Sequence, residues 1–324
     1  MLLRFLTKEE IAMADPALLS NTIIGIQREV TRGVAPTTGV YNAVPFLDGI
    51  SLSFESSPTE FDVYDGTRMK SFTVGGSRAV RLRIPTVLNY EQGQQDLLRA
   101  WLHAAAWAAG AITADADPTY YFTIVAKMEL STGDEYLVFT GCEVASATMD
   151  MPLNDKVSVN YDIFGLSQTT GSAMPGSATM GTLTGKSPFT TGFTGATVTW
   201  NALPVPGAFT ASLTLDNQAD PKYAWGGTTA DHIINKNLKV SGTAEVYYRD
   251  DSFITDAIAG TLRPISFVLK SSETAAEDTF TVSIPKALAV NAPVSDSAGS
   301  MASAVDFRGQ YDTGISSIIQ MTVA

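Results

Sequence analysis

The 324-residue sequence has very few of the side chains that build catalytic and metal sites. It contains one cysteine, Cys142, and two histidines, His103 and His232. A single cysteine excludes a disulfide within the chain and a thiolate metal cluster. We expect Cys142 to be a small buried strand residue. His103 is predicted on the solvent face of a helix and His232 in a polar loop, so we expect no metal ion, no cofactor and no enzymatic activity.

Two further patterns that could indicate a ligand site are incomplete. The segment 181–187, Gly-Thr-Leu-Thr-Gly-Lys-Ser, has three residues between its glycines, where a phosphate-binding loop needs four. Acids lie close together at Asp62 and Asp65, at Asp115 and Asp117, and at Asp250 and Asp251. None of these pairs has the spacing of a helix-loop-helix calcium site, so turn and capping roles explain them.

Positive charge is scarce as well, and long apolar runs are missing. The chain has 33 acidic and 21 basic residues, a net charge of −12, which excludes a surface that grips nucleic acid through counterion release. An acidic surface suits a passage through which a polyphosphate slides, and it equally serves solubility. No apolar run approaches the about 20 residues of a membrane span. The first residues do not read as a secretory signal, so we expect assembly in the cytoplasm without membrane insertion.

Most of the remaining chain alternates apolar and polar residues, as β-strands with one buried face do. One helical stripe is formed by Leu97, Leu98, Trp101, Leu102, Ala105 and Ala108, with a predicted end near Gly110. A shorter helix is predicted after a cap at Asp250, Asp251 or Ser252, and it should stop at Gly260. The predicted fold class is mainly β, with two tandem β-sandwich or barrel domains that each carry one α-helix.

Similar segments recur in the same order in two parts of the sequence. Residues 41–46 match 200–205, 51–54 match 212–215, 70–83 match 236–249, 135–139 match 278–282, and Asp162 with Gly165 matches Asp306 with Gly309. The anchors of this alignment are Asn42, Pro45 and Gly76 in one copy and Asn201, Pro204 and Gly242 in the other. The two glycines are predicted to mark a bulge or bend. The conserved order predicts a tandem duplication of one fold.

A segment rich in Gly, Ser and Thr separates the two copies. Residues 167–196 contain Lys186 as their only charged side chain, which is typical of a flexible linker or an extended arm. We therefore divide the chain into a first domain with an N-terminal arm at 1–170, a linker or arm at 171–199, and a second domain at 200–324.

These features together resemble the tail tube proteins of long-tailed, non-contractile bacteriophages. The sequence Arg28-Glu29-Val30-Thr31-Arg32-Gly33-Val34-Ala35-Pro36 is typical of that family, and it is followed by the Asn-Ala-Val-Pro block at 42–45, a β-meander, one helix and a β-rich end. The resemblance covers nearly the whole chain. The second copy departs from it, because the Gly/Thr-rich segment 181–199 replaces the Arg-Glu-Val-Thr sequence.

The resemblance implies tail-tube-like domains whose inner strands join those of neighbours into a barrel around a DNA-wide lumen. Six domains per ring imply three of these chains, stacked rings in the virion tail, and partners that include the tape measure, tail terminator and distal tail proteins. Double-stranded DNA would pass without specific binding. The arms at 1–49 and 167–199 are expected to contact adjacent rings. The candidate contact residues are Arg28, Glu29, Thr31, Arg32 and Lys186.

Other functions remain open at this point. The inner tube of a contractile tail or injection apparatus would share the fold and would differ by binding a sheath protein. A baseplate adhesin or carbohydrate-binding module is supported only by the tryptophans at 101, 107, 200 and 225. A hydrolase lacks a catalytic set.

Overall fold

The structure is a computed structural model. It describes residues 21–56, 59–62, 71–74, 76, 78–104, 106–108, 110–114, 120–131, 133–205, 207–225, 227, 229–248, 252–272, 279–297 and 300–324. The acids at 65, 115, 117, 250 and 251, for which turn and capping roles were predicted, lie outside these residues, as does the start of the N-terminal arm.

Alternating sequence folds into strands throughout both parts of the chain. The elements of the first part are β1 (Thr22–Arg28), β2 (Val40–Val44), β3 (Ser51–Ser56), β4 (Thr59–Asp62), β5 (Ser71–Val74), β6 (Arg78–Val87), α1 (Gln92–Leu102), β7 (Ala111–Thr113), β8 (Phe122–Leu130), β9 (Gly133–Met151), β10 (Ser158–Gly165), β11 (Ser167–Gly171) and β12 (Thr179–Met180). Those of the second part are β13 (Thr197–Trp200), β14 (Leu203–Pro204), β15 (Ala208–Asp216), β16 (Asp220–Tyr223), β17 (Ala230–Ile234), β18 (Lys239–Tyr247), α2 (Ser252–Ala259), β19 (Leu262–Lys270), β20 (Thr279–Asn291), β21 (Val294–Ser297), β22 (Ser300–Gly309) and β23 (Gln320–Val323).

The two parts of the chain pair their strands in the same spatial order. In the first part the antiparallel order is β3–β6–β10–β9–β8–β1–β2. In the second part it is β15–β18–β22–β20–β19–β13–β14. A two-stranded hairpin follows the first strand of each series, β4–β5 and β16–β17. Along the chain, each helix follows the second strand of its series and precedes the fifth, although the first part has the additional short strand β7 after its helix.

The irregularities of the two ladders also fall at corresponding places. In the β9–β10 ladder, Asp162 lies opposite Ser146 while Ile163 lies opposite Val144. In the β20–β22 ladder, Asp306 lies opposite Asn291 while Phe307 lies opposite Ala289. In both cases one extra residue stands on the longer strand, which is the definition of a β-bulge.

The ladders correct the alignment of 70–83 with 236–249. Leu82 lies opposite Ile163 on one side, and Gly242 lies opposite Phe307 in the corresponding ladder. Leu82 and Gly242 therefore hold corresponding positions, six residues away from the sequence alignment. Short segments of alternating small and apolar residues align almost equally well when shifted by an even number of residues, because their period is two.

The bulge or bend predicted at Gly76 and Gly242 is wrong. Gly76 lies between β5 and β6, outside the strands, and the ladders on both sides of Gly242 are regular. A Cβ at Gly242 would lie 2.4 Å from the carbonyl oxygen of Ser212 and 2.5 Å from Cζ of Phe307. Close approach of a neighbouring strand and ring explains this glycine.

The asparagine anchors also occupy different positions. Asn42 lies within β2, and Pro45 follows that strand. Asn201 lies in the turn between β13 and β14 with a φ of 53°, and Pro204 lies in β14. The second part thus has a tight turn where the first part has the long loop 29–39. Asparagine tolerates the left-handed backbone conformation that such a turn needs.

The two parts are joined by strand pairing into one sheet. The C-terminal third of β9 pairs on one side with β10 and on the other with β15. The order β3–β6–β10–β9–β15–β18–β22–β20 is therefore continuous. Alternate residues on these strands, such as Leu82, Tyr161, Met149 and Leu213, are fully buried in the core.

Helix α1 buries the first four residues of the predicted stripe but ends earlier than predicted, so that Ala108 is exposed beyond the helix and Ala105 lies outside the described residues. Leu97, Leu98, Trp101 and Leu102 are all buried. The helix stops at Leu102 because His103 takes a left-handed conformation, with φ 50°, and the Ala104 N–H then donates to the Arg99 carbonyl. This bond pattern is that of a helix C-cap. Helix α2 ends at Ala259, before Gly260 with φ 62°, as predicted.

The segment between the two parts lies extended against the chain's own surface. Strand β12 pairs in parallel with β2. Farther along, the Glu91 carboxylate accepts hydrogen bonds from the backbone N–H groups of Thr184 and Lys186 at 3.1 and 2.9 Å. Phe189 is completely buried. These bonds and this burial outweigh the entropy that favours disorder in a Gly/Ser/Thr-rich segment.

Candidate functional site

The described residues contain no cluster of side chains suited to catalysis or metal binding. No group of three or more His, Cys, Asp or Glu side chains is placed to hold a metal ion within them. His103 is buried, which corrects its predicted position on the solvent face, because the left-handed helix end turns it inward. His232 lies within strand β17, and its Nδ1 is 3.0 Å from a carboxylate oxygen of Asp231. Cys142 is buried as predicted, and burial raises the pKa of its thiol well above the usual value.

A cavity beside the junction of the two parts also lacks chemistry. A space of about 240 Å³ opens between the two parts, near Met151, Val198, Phe209 and Phe267. Its described lining consists of apolar residues, glycine and threonines, without an ionisable side chain. Such a lining provides no general acid, base or nucleophile. Among the described helices none is long and apolar enough to cross a membrane.

The most extensive feature is the polar face of the continuous sheet. In the strand order β3–β6–β10–β9–β15–β18–β22, the residues that alternate with the buried core positions point to the other face of the sheet. The described members of this polar face are Ser51, Ser53, Glu55, Ala79, Arg81, Arg83, Pro85, Val87, Ser146, Thr148, Asp150, Ser158, Asn160, Asp162, Phe164, Thr210, Ser212, Thr214, Asp216, Lys239, Ser241, Thr243, Glu245, Tyr247, Ala302, Ala304, Asp306 and Arg308. Most of them are polar or charged, and the apolar members are Ala79, Pro85, Val87, Phe164, Ala302 and Ala304.

Small hydroxyl side chains on the polar face bond to one another across strands. The Oγ1 atoms of Thr148 and Thr214 are 3.0 Å apart, at the junction between the two parts. Farther along, Ser212 Oγ and Thr243 Oγ1 are 2.9 Å apart. Because the two hydroxyl groups of such a pair bond to each other, this part of the face has short side chains and few unsatisfied polar groups.

The charges of the polar face are mixed, with a small excess of acid. Its acidic members are Glu55, Asp150, Asp162, Asp216, Glu245 and Asp306, and its basic members are Arg81, Arg83, Lys239 and Arg308. Cross-strand neighbours of opposite sign occur, such as Asp162 beside Arg83 and Asp216 beside Lys239. A face of this kind has no basic stripe with which to hold a phosphate backbone.

The loop after β1 is held by a buried carboxylate. Glu29 accepts hydrogen bonds from the backbone N–H of Gly33 at 2.6 Å and of Gly141 at 2.7 Å, and from Thr123 Oγ1 at 2.7 Å. Burial raises the pKa of Glu29, although these bonds oppose the shift. Three donors on one carboxylate fix the start of the loop to β8 and β9.

A second buried acid joins this loop to the hairpin of the second part. Glu143 of β9 accepts from Arg32 at 3.1 Å and from Asn235, which follows β17, at 2.6 Å. The Arg32 guanidinium also lies 4.4 Å from the ring centre of Tyr121. Burial raises the pKa of Glu143 to about 7, although the bonds from Asn235 and the charge of Arg32 act to lower it. We call these three residues, Arg32, Glu143 and Asn235, the loop clamp.

The sequence-predicted contact residues are therefore in different environments. Arg28 and Arg32 stack on tyrosine rings, Glu29 is buried, and Val30 and Thr31 are exposed at the loop tip. The backbone of Lys186 is bonded to Glu91 while its side chain is exposed. Sequence reasoning missed Glu143 and Asn235, because an isolated acid in an apolar strand carries no spacing signal.

A corresponding aspartate anchors each helix to its neighbouring hairpin. Asp96 of α1 accepts from Asn42 at 2.7 Å and from Arg99 at 3.1 Å. Asp256 of α2 accepts from Trp200 Nε1 at 3.0 Å and from Arg263 at 3.1 Å. Burial raises the pKa of Asp96. Burial acts on Asp256 in the same direction, but the bonds from Arg263 and Trp200 outweigh it and lower that pKa.

Comparison with known proteins identifies the family of the chain. The chain matches the family model described as phage tail tube protein over residues 20–309. A solved structure with similarity to the chain is the tube-terminating cap of the anti-feeding prophage, with 15% identity and a TM-score of 0.35. The match covers 51% of this chain and 97% of that one. No protein with curated function matches the chain.

Proposed function

The chain belongs to the phage tail tube protein family, whose members are structural components of the virion tail and not enzymes, and we propose that it builds a tube for double-stranded DNA. In this proposal three chains close into a ring, and rings stack into the tube of a long non-contractile tail. The observation that carries the proposal is the continuous antiparallel sheet with one core face and one polar face.

The first step of the proposal is that the chain is a tandem duplication. The same strand order, the same position of hairpin and helix, and the corresponding bulges support it. The domains would be 1–170 and 200–324, with 171–199 as the connecting arm. Two unrelated domains would have no reason to repeat a bulge opposite corresponding residues.

The second step concerns ring closure. Each domain contributes four strands to the continuous sheet, so six domains supply about 24 strands. With strands about 4.8 Å apart and tilted by about 40°, such a barrel is about 48 Å across between its backbones. Three chains therefore enclose a lumen that admits a DNA duplex, whereas two chains would supply about 16 strands and a barrel of about 32 Å.

The third step assigns the polar face to the lumen. Its paired hydroxyls and slight acidic excess give DNA no counterion-releasing partner, so a duplex passes without being held. The opposite arrangement, with the core residues facing a water-filled lumen, would expose the apolar side of the sandwich.

The arms complete the proposal. We expect the arms at 1–49 and 167–199, including the exposed loop tip around Val30 and Thr31, to contact the adjacent ring. Arg28, Arg32 and Lys186 stay candidates for that contact, while Glu29 holds the loop from within. Tape measure, tail terminator and distal tail proteins are the expected partners, and assembly is expected in the host cytoplasm. Absence of binding to a sheath protein would distinguish this tube from that of a contractile tail.

Light scattering and electron microscopy of the purified chain test the proposal. Three chains of 34.4 kDa predict a particle of about 103 kDa or a multiple of it, and hollow tubes at high concentration. A chain that remains a 34.4 kDa monomer at every concentration, with no tube, would contradict the proposal.

A further inference from the structure

The junction inside the chain provides a template for the junction between chains. Strand β15 pairs with β9 so that Leu213 lies opposite Met149 and Leu215 opposite Ala147. All four of these side chains are buried. The junction therefore joins two domains through backbone bonds on one side and a closed apolar contact on the other.

Each end of the continuous sheet has an edge that corresponds to one half of this junction. At one end β3, the counterpart of β15, pairs with β6 and with no other described strand. At the other end the segment from Asn291 to Ser297, the counterpart of the last part of β9, pairs only with β22 among the described strands. Unpaired edges of this kind are sites of strand addition.

The ladders fix which residues correspond. Leu52 lies opposite Leu82, and Leu213 lies opposite Gly242, so Leu52 is the counterpart of Leu213. At the other edge Asn291 is the counterpart of Ser146, since both lie opposite the aspartate before the bulge. Counting along the strands then makes Val294 the counterpart of Met149.

We infer that β3 of one chain pairs antiparallel with segment 291–296 of a second copy, with Leu52 opposite Val294 and Phe54 opposite Ala292. This inference rests on the proposed function, which requires chains to join head to tail. It goes beyond the proposed function by naming the two edges and their register.

Incomplete burial at both edges supports this register. Phe54 is 40% exposed, although its counterpart Leu215 is completely buried at the internal junction. Leu52, Ala292 and Val294 are also partly exposed. Of these three, Leu52 and Ala292 pack against the edge of the main core. The inferred pairing places these four side chains on one face, where they cover one another as the internal junction does.

The proline in segment 291–296 does not obstruct the pairing. The carbonyl of Pro293 accepts a hydrogen bond from Ala304 N–H, so it points toward β22. In an antiparallel strand the N–H and C=O of one residue point to the same side. The position of the missing N–H of Pro293 therefore faces β22. The backbone N–H and C=O groups of Ala292 and Val294 face the outer edge, where they are available for pairing.

A disulfide between two exposed serines tests the register. Ser51 and Ser295 lie opposite each other in the inferred pairing, at a non-hydrogen-bonded position with Cα atoms about 4.5 Å apart, within the range for a disulfide. The Ser51→Cys, Ser295→Cys double variant should form intermolecular disulfides that end at closed trimers on a non-reducing gel. Cys142 is buried and should not compete.

The matched control moves one cysteine along the same face. In the Ser51→Cys, Asn291→Cys variant the two positions are four residues out of register, about 13 Å apart, so no cross-link is expected. If rings form but the Ser51→Cys, Ser295→Cys variant does not cross-link, the register is wrong and the proposed function is intact. The same conclusion follows if rings form and the Ser51→Cys, Asn291→Cys control cross-links. A chain that forms neither rings nor cross-links would overturn both.

Discussion

The two parts of the chain share one strand order but differ in how much of their helix is buried. Helix α1 spans 11 residues and buries eight of them, including the Trp101 ring. Helix α2 spans eight residues, of which Asp256 is the one buried member, and Ile258 is 84% exposed. The first domain is also wrapped by the arm and the loop after β1. The two parts therefore share a strand order and differ in how much of each helix is buried.

The largest difference between the domains should appear when an aromatic ring is removed from each helix. Trp101 is fully buried and its indole N–H donates to the Leu215 carbonyl of the second domain. Trp101→Ala should lower the free energy of unfolding by about 3–5 kcal/mol. Phe253→Ala in α2, where the ring is partly exposed beside Trp200, should cost about 1–2 kcal/mol. Urea unfolding measures both, and equal losses would contradict the comparison.

The helix aspartates sharpen the comparison through opposite pH dependence. Asp256 has a lowered pKa, so its contribution to stability is present above the unfolded pKa and is lost as the pH falls through the folded value. Asp96 has a raised pKa, so its contribution is present at low pH and is lost as the pH rises through the folded value. At pH 7, Asp256→Asn should therefore destabilise by about 1–2 kcal/mol, and Asp96→Asn by less.

The measurement is urea unfolding of both variants at pH 7 and again near pH 3. The loss caused by Asp256→Asn should shrink at the lower pH, because the unfolded state then binds a proton at Asp256 more readily than the folded state does. A larger loss for Asp96→Asn than for Asp256→Asn at pH 7 would show that the two environments have been assigned the wrong way round.

The smallest expected effect is that of the loop clamp, which ties the first domain to the hairpin of the second. The folded state holds the Glu143 proton up to about pH 7, against a usual value of 4.5. The stability of the wild type should therefore fall as the pH rises from about 4.5 to about 7, and it should fall more steeply than that of Glu143→Gln. Thermal or urea unfolding across this range gives the difference. Glu245→Gln, an exposed substitution on the polar face, serves as the control, and parallel curves for wild type and Glu143→Gln would contradict the assignment.

The sequence predicted the features that depend on local pattern. Alternation predicted strands with one buried face, and in β10 the alternate residues Val159, Tyr161 and Ile163 are all buried. The helical stripe around Trp101 was predicted for the same reason. The resemblance to phage tail tube proteins is confirmed over residues 20–309. It was visible in the sequence because it depends on the order of motifs along the chain.

Features that depend on distant partners were not predictable. The alignment near Gly242 failed because the register of a period-two strand is set by its neighbours, here Leu213 and Phe307. Helix α1 ends at Leu102, and its C-cap His103 is a residue with no intrinsic preference for stopping a helix. Glu143 carries no local signal, since Arg32 and Asn235 are far from it in sequence.

Cryo-electron microscopy of the assembled tube tests the central claim most directly. The account predicts rings of three chains with six similar domains, one continuous sheet around the lumen, and the polar face with Thr148, Thr214 and Thr243 turned inward. Rings built from another number of chains, or a lumen lined by the opposite face of the sheet, would contradict it.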